Sequence, residues 1–429
     1  AERLSCIGDD LRVISRDEST LNRQRFFLSY RQPVDHDNPD AGHFEQRITL
    51  VDTVPEAPTV LFTSGYSLGG ASNEISNRFP VNELSVEHRF FGTSYPEGRQ
   101  FDYAHLNVRQ AALDLHRIRL AFGAVYSTPW VGVGISKGGM AMVYYRRYFP
   151  CDVEGTVAYV APHTDQELDA RYGVFLAEVG GPAHAECRAR IVNLQRQLLE
   201  RREQVEPLFA DAGYKISSDV DTAYEDSVVA LSFSYWQTVD PEDPVVGCVQ
   251  LPAGPISDSE LASWAEAIMS YRDADLLPFV PYYYQAATQL GAPPPFETNL
   301  AGLLRHPGHG VPRSYVPTEI RVPAFDPAPM RDIQDWLSRE GRRIVFVYGA
   351  FDPWSATQYE LGRSTETFKG IAPAGNHGSS FRELTAADRE TAVSMVEKWL
   401  SLKSSPRSGT KAKPAMSPQP SRLRRPLAP

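Results

Sequence analysis

One stretch, Thr128 to Met142 (TPWVGVGISKGGMAM), constrains the fold of this chain more than any other. An apolar run passes through a tight glycine turn straight into a helical segment, the course taken by a buried parallel strand that enters its crossover helix. At its centre, Gly134-Ile135-Ser136-Lys137-Gly138 has the G-x-S-x-G pattern of a nucleophile elbow, in which a strained turn lifts a serine hydroxyl above a sheet. Glycines two before and two after the serine leave space that a Cβ would fill. Alone, the pentapeptide also fits an ordinary strand-to-helix turn. A dinucleotide or phosphate loop competes as well, because Gly132, Gly134 and Gly138 are closely spaced. The spacing is not G-x-G-x-x-G, however, and the next strand, GTVAYVAP, ends in Ala161-Pro162 with no acidic ribose ligand. The serine therefore needs partners further along the chain.

With 429 residues, 42% of them hydrophobic, the chain can bury a large core or two. No apolar run approaches the length of a membrane span, so no membrane partner is expected. The net charge of −10 hides an asymmetry. Seven of the 43 basic residues lie after Leu400, where no acidic residue stands, leaving 36 basic against 53 acidic residues before that point. Such a body has no electrostatic case for binding nucleic acid. The chain begins with alanine and no charged-then-apolar segment follows, which reads as a processed chain. The four cysteines, Cys6, Cys151, Cys187 and Cys248, have none of the close spacings that bind zinc, so disulfides of an exported protein and buried thiols both fit.

Taken in order, Phe26 to Asp52 reads as two strands joined by a Pro/Asp/Asn/Gly turn. PTVLFTSGYSLGG, from Pro58 to Gly70, reads as a central strand that delivers a glycine-containing loop, with Gly65 and Tyr66 as backbone N–H candidates. LSVEHRFFG is a further strand, and residues 108–122 have the spacing of an amphipathic helix. Strand alternating with helix marks a mostly parallel α/β sheet with right-handed crossovers. Between about His163 and Val311, amphipathic segments alternate with Pro/Gly-rich loops and no buried strand stands out. The expected organisation is therefore a sheet domain in two parts, 1–162 and 312–400, with a helical cap inserted at 163–311. The tail, 401–429, lacks the apolar content to fold and is expected to be disordered.

A serine hydroxyl becomes a useful nucleophile when an imidazole takes its proton and a carboxylate orients that imidazole. In α/β-hydrolase order the acid and then the histidine follow the serine, each just past a strand. RRIVFVY runs into GAFDPWS, which places Asp352 in such a loop, and FKGIAP runs into AGNHGSS, which places His377 in the next. Each loop taken singly could be a plain turn. Three such loops in the required order favour an α/β-hydrolase sheet with Ser136, Asp352 and His377 as its catalytic residues. His163 is a rival base whose chain order is wrong. His306 and His309 lack the partners of a metal site, His88, His105 and His116 read as structural or solvated, and no metal or cofactor is called for.

These residues resemble a known family, the secreted bacterial serine aminopeptidases that release tri- and tetrapeptides and prefer proline before the cut bond. The resemblance runs from about Phe26 to Leu400. It rests on TVLFTSGY, LSVEHRFFG, GISKGGM, FPCDVEGTVAYVAP, PYYYQAATQLG, VYGAFDPW and APAGNHG. Several blocks are also similar to those of lysosomal prolyl carboxypeptidases and dipeptidyl peptidases. The resemblance implies an acyl-enzyme route on Ser136, with His377 as base and then acid and Asp352 orienting it. Oxyanion donors would come from Lys137 N–H and the Gly65-Tyr66 loop. It further implies a proline pocket at Met140, Trp354 and Phe381, with Tyr282, Tyr283 and Tyr284 as an additional cap-side wall, and a secreted location. Cys187 with Cys248, and Cys6 with Cys151, are the disulfides expected within it.

The substrates would be peptides with free amino termini, whose amine calls for a carboxylate. Glu87, Asp165 and Glu167 are candidates, and Glu87 is carried forward as the substrate contact. An esterase or lipase of the same fold, and an inactive hydrolase-like binding protein, are the alternatives.

Overall fold

In the computed structural model, which describes residues 2–17, 23–54, 56–69, 73–96, 98, 102–209, 219–268, 273–364 and 366–402, nine strands form one sheet. They are β1 (Leu11–Asp17), β2 (Gln24–Pro33), β3 (His43–Asp52), β4 (Thr59–Thr63), β5 (Asn82–Val86), β6 (Trp130–Ile135), β7 (Gly155–Tyr159), β8 (Ile344–Gly349) and β9 (Thr367–Ala372). The expected hairpin is β2 with β3. Its register sets Phe26 against Leu50 and Leu28 against Ile48, and all four side chains are buried. Strand β1, which no pattern above anticipates, adds an exposed antiparallel edge to β2.

From β5 onward the sheet is parallel, in the spatial order β5-β4-β6-β7-β8-β9. Strands β4 to β8 are buried along almost their whole length, as strands covered on both faces must be. The chain leaves β4 for β5 on one side and returns to β6 on the other. A crevice therefore opens between the carboxyl ends of β4 and β6, the switch point where open α/β sheets bind ligands. This is an α/β-hydrolase sheet.

Between β7 and β8 the described residues form helices and no strand, apart from an isolated bridge between Leu168 and Ala292. Helix Val220–Thr238 is the centre of this layer. Tyr224, Val228, Leu231, Tyr235 and Trp236 bury most of its circumference, and Asp219 caps it through Thr222 N–H. Leu194, Leu231 and Tyr283 from the helices share one apolar cluster with Phe91 and Trp354 from the sheet's loops. The Cys187–Cys248 disulfide ties helix Ala185–Glu200 to the turn Cys248–Gln250, as expected. The second expected bridge is corrected. Cys6 and Cys151 are free and exposed, so neither thiol is held in the fixed geometry a bridge demands. The tail expected to be disordered lies, from residue 403 on, outside the described residues.

Within the helical layer, His309 Nδ1 lies 2.8 Å from Asp226 Oδ2. That hydrogen bond outweighs burial, which acts the other way, and raises the imidazole above its ordinary pKa of 6.5. A raised folded-state pKa contributes stability that is full below the unfolded value and is lost as pH rises through the folded one. Thermal unfolding followed from about pH 5.5 to about pH 8.5 should therefore show a loss of Tm with rising pH that is smaller in His309→Gln than in the parent.

Candidate active site

Ser136 stands between β6 and the helix Lys137–Tyr148 at φ 57°, ψ −127°, a left-handed conformation that a residue other than glycine adopts only under constraint. The constraint is visible in its surroundings. Ser136 N–H donates to Tyr159 O of β7 at 2.8 Å, and its carbonyl accepts Met140 N–H at 3.0 Å. A Cβ on Gly134 would stand 2.0 Å from Gly138 O, and one on Gly138 would stand 2.1 Å from Thr63 O. The two glycines of the motif are required by close backbone approach, within the elbow and between the elbow and the end of β4.

Asp352 and His377 meet at the neighbouring strand ends. His377 Nδ1 lies 2.9 Å from Asp352 Oδ1, with the carboxylate side chain fully buried and the imidazole nearly so. Asp352 also accepts Trp354 N–H at 3.1 Å and the Ser355 hydroxyl at 2.7 Å. It thus caps the short helix Pro353–Ala356 while it holds the histidine, so the plain-turn reading and the functional reading are both realised in one side chain. His377 N–H donates to Gln237 O of the long helix above, at 3.1 Å.

Ser136 and His377 open into one cavity of about 380 Å³. Its walls include Tyr66, Phe91, Met140, Phe279, Tyr282 and Trp354, and they are mostly apolar. Burial raises the pKa of the Tyr66 phenol and keeps it neutral, with the nearby Ser136 hydroxyl acting in the opposite direction. Its ring is held edge-on by Phe91 at 5.4 Å and Phe279 at 5.6 Å. Lys137, the first residue of its helix, has a backbone N–H with no acceptor within that helix. Trp354 is braced edge-on by Phe233 and Tyr172.

Several expected contacts are corrected. Phe381 is fully buried beneath the sheet with Val131, Val157 and Val396, because Ser380 caps a tight turn at Phe381–Glu383 that carries the ring inward. Tyr283 packs on Tyr315 at 4.8 Å and lies outside the cavity, since successive residues of a helix point about 100° apart. Of the three tyrosines expected as a cap-side wall, Tyr282 lines the cavity, and Phe279, which no sequence pattern singled out, lies beside it.

Glu87 is buried away from the cavity. Its carboxylate accepts Leu68 N–H, Thr93 N–H and the Ser94 hydroxyl, so it braces the loop after β4 and does not face a substrate. Asp165 and Glu167 are paired with Arg331 and Arg313. Gly65 lies behind the cavity wall, and its N–H donates to Thr63 Oγ1, which leaves Tyr66 as the member of that expected pair lining the site.

A sheet of this topology, with a serine elbow and a histidine–aspartate pair at adjacent strand ends, defines a hydrolase of the α/β-hydrolase class. Comparison with known sequences narrows the class. The profile of the PS-10 peptidase S37 family matches residues 2–419, and the chain belongs to that family of serine peptidases. It is 41% identical over 387 residues to the prolyl tri/tetrapeptidyl aminopeptidase of Streptomyces mobaraensis, covering 87% of this chain and 79% of that one. It is 25% identical over 181 residues to the lysosomal Pro-X carboxypeptidase of Mus musculus, 37% of each chain. Among solved structures, the proline iminopeptidase of Mycobacterium smegmatis aligns over 87% of this chain and 99% of its own, at 13% identity and a TM-score of 0.43.

The split between core and cavity side chains is open to test. Phe381→Ala should cost about 3–5 kcal/mol of stability in denaturant unfolding, as deletion of a buried ring does. The folded fraction should keep the KM of the parent; a raised KM for peptides with undiminished stability would return Phe381 to the substrate.

Proposed function

We propose that this protein is a secreted serine aminopeptidase that releases tri- or tetrapeptides from free amino termini, cleaving after proline through an acyl-enzyme. The observation that carries the reading is the convergence on one mainly apolar cavity of Ser136 and the Asp352-held His377, with Met140 and Trp354 in the adjoining walls. The name of the Streptomyces mobaraensis relative supports it.

In this reading Ser136 Oγ attacks the carbonyl carbon that follows the proline ring while His377 Nε2 takes the hydroxyl proton. Asp352, fixed by Trp354 N–H and Ser355, keeps the histidine proton on Nδ1 and stabilises the imidazolium. Charge on the tetrahedral oxygen is met by Lys137 N–H and the Tyr66 side of the β4 loop, each such donor contributing about 3–4 kcal/mol at the transition state. His377 then returns the proton to the leaving amine. Water, deprotonated by the same imidazole, attacks the ester carbonyl and releases the short peptide, restoring Ser136. Met140, one helical turn past the serine, and Trp354 give the flat apolar contact that suits a pyrrolidine ring. The helices of 163–311 act as a cap that admits thin, extended amino termini.

One observation favours a second reading, an esterase of the same fold. Among the described residues, the cavity wall contains no carboxylate to receive an amine, whereas an ester needs none.

Ser136→Ala should abolish turnover with an unchanged Tm; substantial residual hydrolysis would remove the serine assignment. Acetylating the amine of a proline-ended tripeptide anilide should lower kcat/KM by at least roughly a hundredfold, the cost of an unmade charged contact. Equal rates for the blocked and unblocked forms, with faster turnover of a short-chain ester, would favour the esterase. Met140→Ala should reduce the preference for proline-ended over alanine-ended substrates roughly tenfold, the discrimination an apolar pocket wall supplies.

A further inference from the structure

The proposed mechanism uses the backbone of Lys137 and leaves its side chain unexplained. The residue is 2% exposed, although an ammonium is costly to bury without a partner. Its Nζ donates to Gly65 O at 2.7 Å and lies 4.8 Å from the Phe91 ring centre and 5.5 Å from that of Tyr66. Among the described residues no carboxylate forms a salt bridge with it, and burial pulls its pKa well below the ordinary lysine value. A group held at such a cost, beside the nucleophile, has been placed for what it touches.

What it touches is one end of a particular peptide unit. The carbonyl of Gly65 and the N–H of Tyr66 belong to the same planar amide, so fixing one fixes the other. Gly65 has φ +81°, where glycine is permissive and its following peptide plane is poorly determined by local sterics. Replacing that freedom with a larger residue is closed off, because a Cβ there would lie 2.5 Å from Gly138 N. The other end of the amide, Tyr66 N–H, meets Ser64 Oγ at 3.3 Å, a long contact that a charged oxygen would readily replace. Ser64 and Tyr66 both line the cavity beside Ser136.

We propose that the Lys137 side chain is a positioning residue for the oxyanion pocket: by donating to the Gly65 carbonyl it holds the Gly65–Tyr66 amide with its N–H available to the tetrahedral intermediate. The hydrogen bond also polarises that amide and strengthens its N–H as a donor. The inference rests on Ser136 being the nucleophile. It assigns to Lys137 an effect on the transition state and little effect on ground-state binding.

The test is Lys137→Met, which keeps the length and removes the donor, with Lys137→Leu as a second, smaller variant should Met fail to pack. In a folded variant with Tm equal to or above the parent's, kcat should fall roughly ten- to a hundredfold, with KM within about threefold. A peptide aldehyde, which forms a hemiacetal on the serine and places an oxygen in the pocket, should lose affinity by about the same factor as kcat. The product peptide, bound without a covalent bond, should keep its affinity. Unchanged kcat and aldehyde affinity in either folded variant would overturn the inference, as would a loss expressed in KM and product affinity. Residual turnover in Ser136→Ala would overturn it together with the peptidase reading, whereas an inert Ser136→Ala beside a full-speed Lys137→Met would overturn it alone.

Discussion

The site depends on two backbones touching at the switch point of the sheet. Gly138, at the start of the elbow helix, lies so close to Thr63 and Ser64 that a methyl group on it would sit inside both. This contact forces β6 to turn sharply after Gly134, sets Ser136 at positive φ, and brings the N-terminus of the helix beside the loop that follows β4. The strain is sustained because both backbones are anchored in buried parallel ladders, β4 with β6 and β6 with β7. Ser136 N–H is itself bonded across to Tyr159 O. A loosened sheet would relax the turn first, since nothing local favours it.

Around that contact, buried polar groups do the positioning and apolar groups make the cavity. In the EHRFFG block, Glu87 receives three donors from loop atoms. Arg89 is paired with Asp114 through two nitrogens and also donates to the carbonyls of Pro33, Val34 and His105. Breaking one member of such a network leaves the others buried and unpaired, which costs more than the pair itself contributes. The block is thus a scaffold for the β4 loop and for helix Val108–Gly123. On the opposite flank, Glu74 accepts both the Tyr159 hydroxyl and Phe381 N–H at 2.9 Å, linking β7, whose Tyr159 carbonyl accepts Ser136 N–H, to the turn that follows His377.

The sheet was legible because it is written in short-range patterns. Buried parallel strands show as apolar runs, the hairpin as alternation, and the loops at strand ends as glycine, proline and small polar residues, so β2 to β4 and β6 to β9 fell where those patterns put them, whereas of LSVEHRFFG only Leu84–Val86 lies in β5 and the rest is loop. Strand β1 lacked an apolar face to betray it, being exposed along nearly all its length. Ser136, Asp352 and His377 could be ordered from the same patterns, because each closes a strand. The cavity walls could not. Phe381 and Glu87 look like site residues by proximity in sequence, yet a three-residue turn aims one into the core and a set of loop N–H groups claims the other. Of the three consecutive tyrosines, only helical phase selects Tyr282 over Tyr283, and phase within so short a segment depends on how its helix seats against Tyr66.

Electrostatics around the cavity point the same way as its shape. Asp165, Glu167 and Glu87, the acids nearest in sequence to the strand ends, are each already engaged by an arginine or by N–H and O–H donors. A substrate ammonium would have to displace those partners, giving up one charge-assisted contact to gain another, so none is a ready amine site. Lys137, beside the serine, is buried and faces a carbonyl and two ring faces, and it adds to the burial that depresses the pKa of the nearby His88. This end of the cavity offers N–H donors, which suit a developing oxyanion and do not suit a peptide amine. In the proposed mechanism the amino terminus therefore extends away from Lys137, toward the wall formed by Trp354, Tyr172 and the helices above. On that proposal the length of peptide released is set by how far that wall lies from Ser136, and the helical layer over the cavity is what measures the product.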